Sequence, residues 1–209
     1  MRTLIAVPSM DTVPSRFAQS LAMIRKVGDC ALTFQIGSLI YHSRNELARK
    51  SIEMDADYIL WLDSDMYFEP DILERMFAVM KEKELDFLTG LYYRRVPPFT
   101  PVLFDKLEIT ESGAEWSEFD ELPEGLFEVG GCGFGCVLMK TDIIFDVGMK
   151  FGDLFAPIGN VGEDLSFCWR ARQAGYKLYC DPSIELGHCG QTVIDRQFYT
   201  AFRKAQRKD

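Results

Sequence analysis

The chain has 209 residues, is 47% hydrophobic and 26% charged, and carries a formal net charge of −9. This is globular composition with enough chain for one substantial core, and the acidic balance disfavours the broad electrostatic attachment to nucleic acid that clustered lysine and arginine would give. No apolar run approaches the ~20 residues of a membrane helix, and the opening Met1 to Pro8 lacks the apolar length and cleavage site of a signal peptide, so the sequence is expected to be a cytoplasmic protein.

Strand and helix signals alternate through the first half. Thr3 to Val7 reads as a strand, followed by a helix over Ser15 to Val27 with Phe17, Leu21 and Ile24 on one face and Gly28 as its stop. Ala31 to Ile36 is a second strand. Ser43 to Met54 is a helix whose Ser43-Arg44-Asn45-Glu46 start has the capping-box pattern. The apolar run Tyr58 to Leu62 is a third strand, Pro70 fits the first position of the next helix, and Asp86 to Leu91 is a fourth strand. Such alternation implies a mostly parallel sheet covered by helices, with ligands at the carboxyl ends of its strands.

The second half is less regular. Pro97, Pro98 and Pro101 interrupt the chain. Val102 to Thr110, Leu126 to Val129 and Gly133 to Lys140 look like strands. Thr141 caps a short helix, Glu163 to Ala174 is a helix stopped by Gly175, and Tyr176 to Cys180 is a late strand. The expected organisation is one α/β domain over residues 1–209 with no boundary. About 1–95 form a Rossmann-like nucleotide-binding half, about 96–190 an acceptor and catalytic half on the same sheet, and 191–209 a basic helix or tail with Arg196, Arg203, Lys204, Arg207 and Lys208. The tail is a solvated helix face or a contact for a membrane surface or partner. The six cysteines form no CxxC pair and read as reduced, mostly buried thiols; Cys132 and Cys136 are too loosely spaced for a strong zinc signal.

Asp63-Ser64-Asp65 closes the third strand and carries the most chemistry. Paired carboxylates at a strand end suit a hard divalent cation, which could in turn hold a diphosphate; acidic residues also end strands without function. Pro8 to Asp11, Ser38 to Arg44 and Asp63 to Asp65 all follow strands and so should meet at one edge. Arg44 and Asn45 open a helix there, with arginine suited to a phosphate or base face and asparagine to a base or ribose. Tyr92-Tyr93-Arg94-Arg95 follows the fourth strand; aromatics beside arginines suit a sugar and a phosphate, and Tyr93 and Arg94 are the acceptor-side candidates. Gly162-Glu163-Asp164 starts a helix whose dipole stabilises acidic residues. One of these carboxylates could remove a proton, although the dipole would weaken it as a base. His188, in Gly187-His188, can complete a cation's shell beside Asp65. His42 is structural or a nucleotide neighbour. The cluster Gly130 to Gly135 is either a tight turn or a close backbone approach to sugar or phosphate, with Gly131 on the donor side.

In this order the motifs resemble the A-type-fold (GT-A) glycosyltransferases, the nucleotide-diphospho-sugar transferases, and among them the inverting enzymes of the family 2 type. Leu4 to Pro8 resembles the nucleotide-binding strand, Ser43-Arg44-Asn45 the base-contacting segment, Leu62-Asp63-Ser64-Asp65 the DxD motif, Gly131 to Met139 the glycine turn and strand before the acceptor site, Gly162 to Cys168 the ED motif, and Gly187-His188 the late histidine. The resemblance implies Mn2+ or Mg2+ bridging Asp65, the donor diphosphate and His188. It also implies Asp63 at the ribose or metal, and Pro8, Asp11, Arg44, Asn45, Ser64 and Gly131 around the donor. Asp164, backed by Glu163, would deprotonate the hydroxyl of a glycan, lipid-linked or other acceptor in an inverting displacement. The short chain, the unusual stretch between Pro97 and Glu128, and the position of Asp11 depart from the family pattern. Three alternatives stay open: a nucleotidyltransferase, although no basic glycine-rich loop follows the first strand; a transferase acting on modified bases in nucleic acid; and a non-catalytic nucleotide-sugar-binding module.

Overall fold

The computed structural model describes residues 1–37, 39–110, 113–190 and 194–206. Ser38, Arg207 and Lys208 lie outside them, and with them the expectations placed on Ser38 and on the end of the basic tail. The chain runs β1 (Arg2–Ser9), α1 (Ser15–Met23), β2 (Asp29–Ile36), α2 (Ile40–Glu53), β3 (Tyr58–Leu62), β4 (Met66–Tyr67), α3 (Ile72–Lys83) and β5 (Phe87–Leu91). It continues through β6 (Leu103–Thr110), β7 (Gly113–Glu118), β8 (Phe127–Val129), β9 (Gly131–Cys132), β10 (Cys136–Lys140), α4 (Thr141–Phe151), α5 (Glu163–Gln173), β11 (Leu178–Glu185), β12 (Gly187–His188) and α6 (Arg196–Gln206).

The main sheet has the order β2-β1-β3-β10-β5-β11-β8. β1 pairs parallel with β2 and β3, and β5 parallel with β11; β10 and β8 are the antiparallel members. β10, from the second half of the chain, sits between β3 and β5 of the first, so strands from both halves share one sheet. Apolar residues fill both faces in the period of two that a strand imposes. Leu4, Ala6, Ile59 and Trp61 point into one core with Leu47, Phe134, Phe155 and Phe167; Ile5, Val7, Leu60 and Leu62 point into the other with Phe17, Leu73 and Met76. On the first side α2, α4 and α5 cover the sheet; on the second, α1 and α3. The first core is centred on aromatic rings: Phe155 stacks on Phe167 with centroids 4.5 Å apart, and Trp61 meets Phe155 edge-on at 5.2 Å.

Several local expectations are corrected. α1 ends at Met23, because Ile24 turns extended (ψ 128°) and packs, with Val27, against the second core; Gly28 instead takes a positive φ of 71° at the turn into β2. α2 begins at Ile40, three residues early, so Ser43 lies buried inside the helix and caps nothing. α3 begins at Ile72; Pro70 sits in the preceding turn and its carbonyl accepts from the Arg25 amide. Thr141 is the first residue of α4 and makes no capping bond. β11 runs on through Pro182 to Glu185, past a register shift after Asp181. The expected basic helix is α6, whose Phe198 and Phe202 pack edge-on against Phe99 at 4.9 and 4.8 Å while Tyr199 stacks on Tyr93 at 4.7 Å. None of the described helices is long and apolar enough to cross a membrane.

Candidate active site

The carboxyl ends of β1, β3 and β5 and the start of β10 lie at one edge of the sheet, and a cavity of about 360 Å³ opens there. β1 contributes Pro8 and Ser9 and the residue after them, Met10; Gly37 follows β2, and the first turns of α2 contribute Ile40 and Arg44. Asp63, Ser64 and Asp65 follow β3, Arg95 follows β5, Glu163 and Asp164 start α5, and His188 comes from β12. Local pairing explains the convergence. The Asp63 amide donates to the Gly135 carbonyl beside β10, and β4 pairs with β12, setting Met66 opposite His188. The Cys189 amide donates to the Asp65 carbonyl at 2.7 Å. Main-chain bonds thus bring the segments that carry Asp63, Asp65 and His188 together.

Arg44 is the hub of the acidic cluster. Its side chain is 3% exposed, with Nη2 2.8 Å from Asp63 Oδ1 and Nε 3.3 Å from Glu163 Oε1. Its guanidinium lies over the rings of Phe134 at 5.2 Å and Trp61 at 5.8 Å, and Nη1 has no hydrogen-bond partner among the described residues. Burial opposes its charge, but Asp63, Glu163 and Asp164 outweigh burial and hold its pKa above the ordinary value. Arg44, expected to meet a phosphate or a base face, neutralises and positions two carboxylates of the cleft in this structure.

Asp65 and His188 face each other. His188 Nδ1 lies 2.9 Å from the Tyr93 carbonyl, which can only accept, so Nδ1 carries the proton and Nε2 turns toward Asp65 Oδ2 at 3.4 Å. Arg95 Nη1 reaches the same Oδ2 at 2.8 Å. Burial disfavours the Asp65 anion, yet the hydrogen bond and charge of His188, with the charge of Arg95, hold its carboxyl below the usual range. Among the described residues no group of three or more His, Cys, Asp or Glu is placed to hold a metal; Asp65 and His188 converge as a pair.

Asp164 behaves differently. Oδ1 accepts from the Leu165 amide at 2.8 Å. Burial, and then the negative charge of Glu163, push its pKa up to about 6, against the lowering pull of Arg44. Desolvation outweighs the lowering by Arg44 and by the Leu165 amide at the helix start, so the shift runs opposite to the weakened base expected there.

The remaining candidates separate from the cleft. Asn45 faces away: Oδ1 accepts from the Phe155 amide at 3.2 Å and Nδ2 donates to Asp153 at 3.3 Å, beside a different cavity between α2 and α4. Tyr93 is 2% exposed and stacked on Tyr199, and Arg94 pairs with Glu118 at 2.9 Å. Asp11 is exposed and does not line the cavity, and neither does His42. Gly131 is buried in β9, where a Cβ would meet Leu107 and Leu165 at 3.0 and 3.1 Å. Gly133 and Gly135 make room for the Tyr92 ring, whose hydroxyl accepts from the Gly135 amide at 3.1 Å; a Cβ on Gly135 would come within 2.6 Å of that ring. The glycine cluster is packing, not a phosphate cradle. Arg95 is the site residue that sequence reasoning passed over in favour of its neighbours Tyr93 and Arg94. Residues next to each other in an extended segment point to opposite sides, and nothing local told which arginine faces the cleft.

The comparisons agree with this architecture. A search of curated proteins found no match. Among solved structures, "Crystal Structure of A197 from STIV" is similar over 93% of this chain and 94% of that one, with a TM-score of 0.67 and 21% identity, a likeness of fold. The family model described as "Glycosyl transferase family 2" matches residues 43–147, half of the chain, and spans the α2, β3 and β10 segments that build the cleft. With its mixed, mostly parallel sheet flanked by helices, the chain belongs to glycosyl transferase family 2 and has the A-type fold.

Proposed function

We propose that the cleft moves a sugar from a nucleotide-diphospho-sugar to an acceptor hydroxyl, with inversion, and with Mn2+ or Mg2+ held at Asp65 and His188. The observation that carries this reading is that Asp65, Asp164 and His188, from three remote segments, line one cavity of about 360 Å³. The chemistry of the donor set fits such a cation: a carboxylate oxygen and an imidazole nitrogen lie 3.4 Å apart, and the nitrogen would give up any proton it shares with Asp65 on coordinating. Two protein ligands leave positions for phosphate oxygens and water, as hard cations at nucleotide sites require. When bound, the cation would stabilise charge on the departing nucleoside diphosphate.

The chain's own residues do the rest. Pro8, Ser9 and Met10 form the wall beside the nucleotide, and Asp63 and Ser64 stand toward its ribose. Arg44 keeps Asp63 and Glu163 in place, which leaves Asp164 as the base. Its Oδ1 is engaged by the Leu165 amide, so Oδ2 takes the acceptor proton. The acceptor oxygen then bonds to the anomeric carbon while the bond from that carbon to the phosphate oxygen breaks, its electron pair leaving on the diphosphate. A base with a pKa near the working pH is well matched to this transfer. The acceptor is a glycan, lipid-linked or other hydroxyl. Family membership sets the nucleotidyltransferase alternative aside.

The test is a panel of nucleotide-sugars incubated with Mn2+, reading release of nucleoside diphosphate. Release is expected from at least one donor, and Asp65→Ala should lower it about a hundredfold, the scale of a lost metal contact. Donor binding without turnover under every condition would make the chain a binding module instead.

A further inference from the structure

The acidic cleft holds two arginines, and they differ in freedom. Arg44 is 3% exposed and clamped between Asp63 and Glu163. Arg95 is 49% exposed, and its one ion pair among the described residues is with Asp65 Oδ2 at 2.8 Å. Its backbone is nevertheless fixed. The Arg94 amide donates to the Thr100 carbonyl at 3.0 Å, the Phe99 amide donates to the Val96 carbonyl at 2.9 Å, and Tyr93 bridges Pro101. Arg94 beside it is tied to Glu118 at 2.9 Å, outside the cleft. A long, solvated side chain on a closed turn can swing without disturbing the fold.

The oxygen that Arg95 holds is also the one His188 Nε2 approaches at 3.4 Å. Arg95 and a divalent cation therefore compete for Asp65 Oδ2. A donor diphosphate entering beside Asp63, Asp65, Glu163 and Asp164 meets like charge, and Arg95 is the cleft's one side-chain cation not locked between carboxylates among the described residues. Exposed ion pairs are weak, whereas a guanidinium fork on phosphate oxygens is charge-assisted and can be bidentate.

We propose that Arg95 is an exchange residue: it occupies Asp65 while the cleft is empty, yields that oxygen to the cation, and moves onto the diphosphate, where it balances the leaving group's charge. This rests on the cation site proposed above. It makes the effect of Arg95 on cation binding opposite in sign with and without a diphosphate.

Mn2+ binding followed by loss of the free-ion electron paramagnetic resonance signal, and binding of the manganese–pyrophosphate complex followed by calorimetry, read the two states. In Arg95→Ala, Mn2+ alone should bind about 2- to 5-fold tighter, as expected when an exposed competing ion pair is removed. The manganese–pyrophosphate complex should bind about tenfold weaker or more, as expected for a lost charge-assisted bond. Arg95→Lys should leave Mn2+ alone near the wild-type value and fall between the two for the complex, and Arg94→Ala should change neither. Weaker binding of Mn2+ alone, or an unchanged complex, in Arg95→Ala overturns the exchange. A Mn2+ site that Asp65→Ala abolishes and Arg95→Ala leaves untouched overturns the exchange alone. Mn2+ binding indifferent to Asp65→Ala overturns the proposed cation site and the exchange together.

Discussion

Replacing Asp164 by asparagine should make the protein more stable and less active at once. The folded chain keeps a proton on Asp164 up to about pH 6, whereas the ordinary value for the group is 3.8. Between those values the folded state binds more protons than the unfolded one, so stability falls as pH rises, and above about 6 the whole deficit is present. Two units at about 1.4 kcal/mol each give an upper figure of about 3 kcal/mol. Water access and sharing with Glu163 reduce it, and we expect about 1–3 kcal/mol. Asparagine keeps the shape, and its Oδ1 can still accept from the Leu165 amide. In a chain of 209 residues this raises the melting temperature by about 3–10 °C at pH 7.5. The gain should shrink by roughly half at pH 5, because the unfolded carboxyl is by then closer to its own titration. Transfer should fall by about 10²–10⁴-fold with donor affinity retained. In the wild type, kcat/KM should climb with pH up to about 6 and level off above it, a limb missing from Asp164→Asn. A variant that melts no higher than wild type at pH 7.5 and transfers normally refutes both the buried proton and the base.

Two further substitutions test the rest of the site. Arg44→Ala removes the shared partner of Asp63 and Glu163, whose side chains are 31% and 16% exposed; the stranded charges should cost about 2–4 kcal/mol in urea unfolding, somewhat less than for a fully buried pair. A loss below about 1 kcal/mol would deny Arg44 its anchoring role. Asn45→Ala should lower stability by about 1–2 kcal/mol through the freed Phe155 amide while the KM for the donor stays unchanged, and a raised KM would return Asn45 to the nucleotide.

The framework was legible because period-two apolar strands and helices with one apolar side follow directly from local geometry. Tyr58 to Leu62, and the turn of acids after it, needed no tertiary information. The insertion of β10 between β3 and β5 did, since nothing in Cys136 to Lys140 names its neighbours. At the site, residue types marked segments that do converge on one cavity, while local signals named the wrong partners. The capping-box pattern at Ser43 was overridden when packing began α2 at Ile40, and that shift turns Asn45 toward Phe155 and Arg44 toward Asp63. Likewise the helix start at Gly162 implied a weak base, but the sign of the Asp164 shift is set by burial, which emerges only when α5 meets the cleft.

Anomalous diffraction from a crystal grown with Mn2+ and a nucleoside diphosphate would show whether Asp65 and His188 together hold one cation. A single manganese peak is expected about 2.0–2.2 Å from both Asp65 Oδ2 and His188 Nε2, with phosphate oxygens completing its shell. A diphosphate seated in the cleft with no manganese touching Asp65 would contradict it.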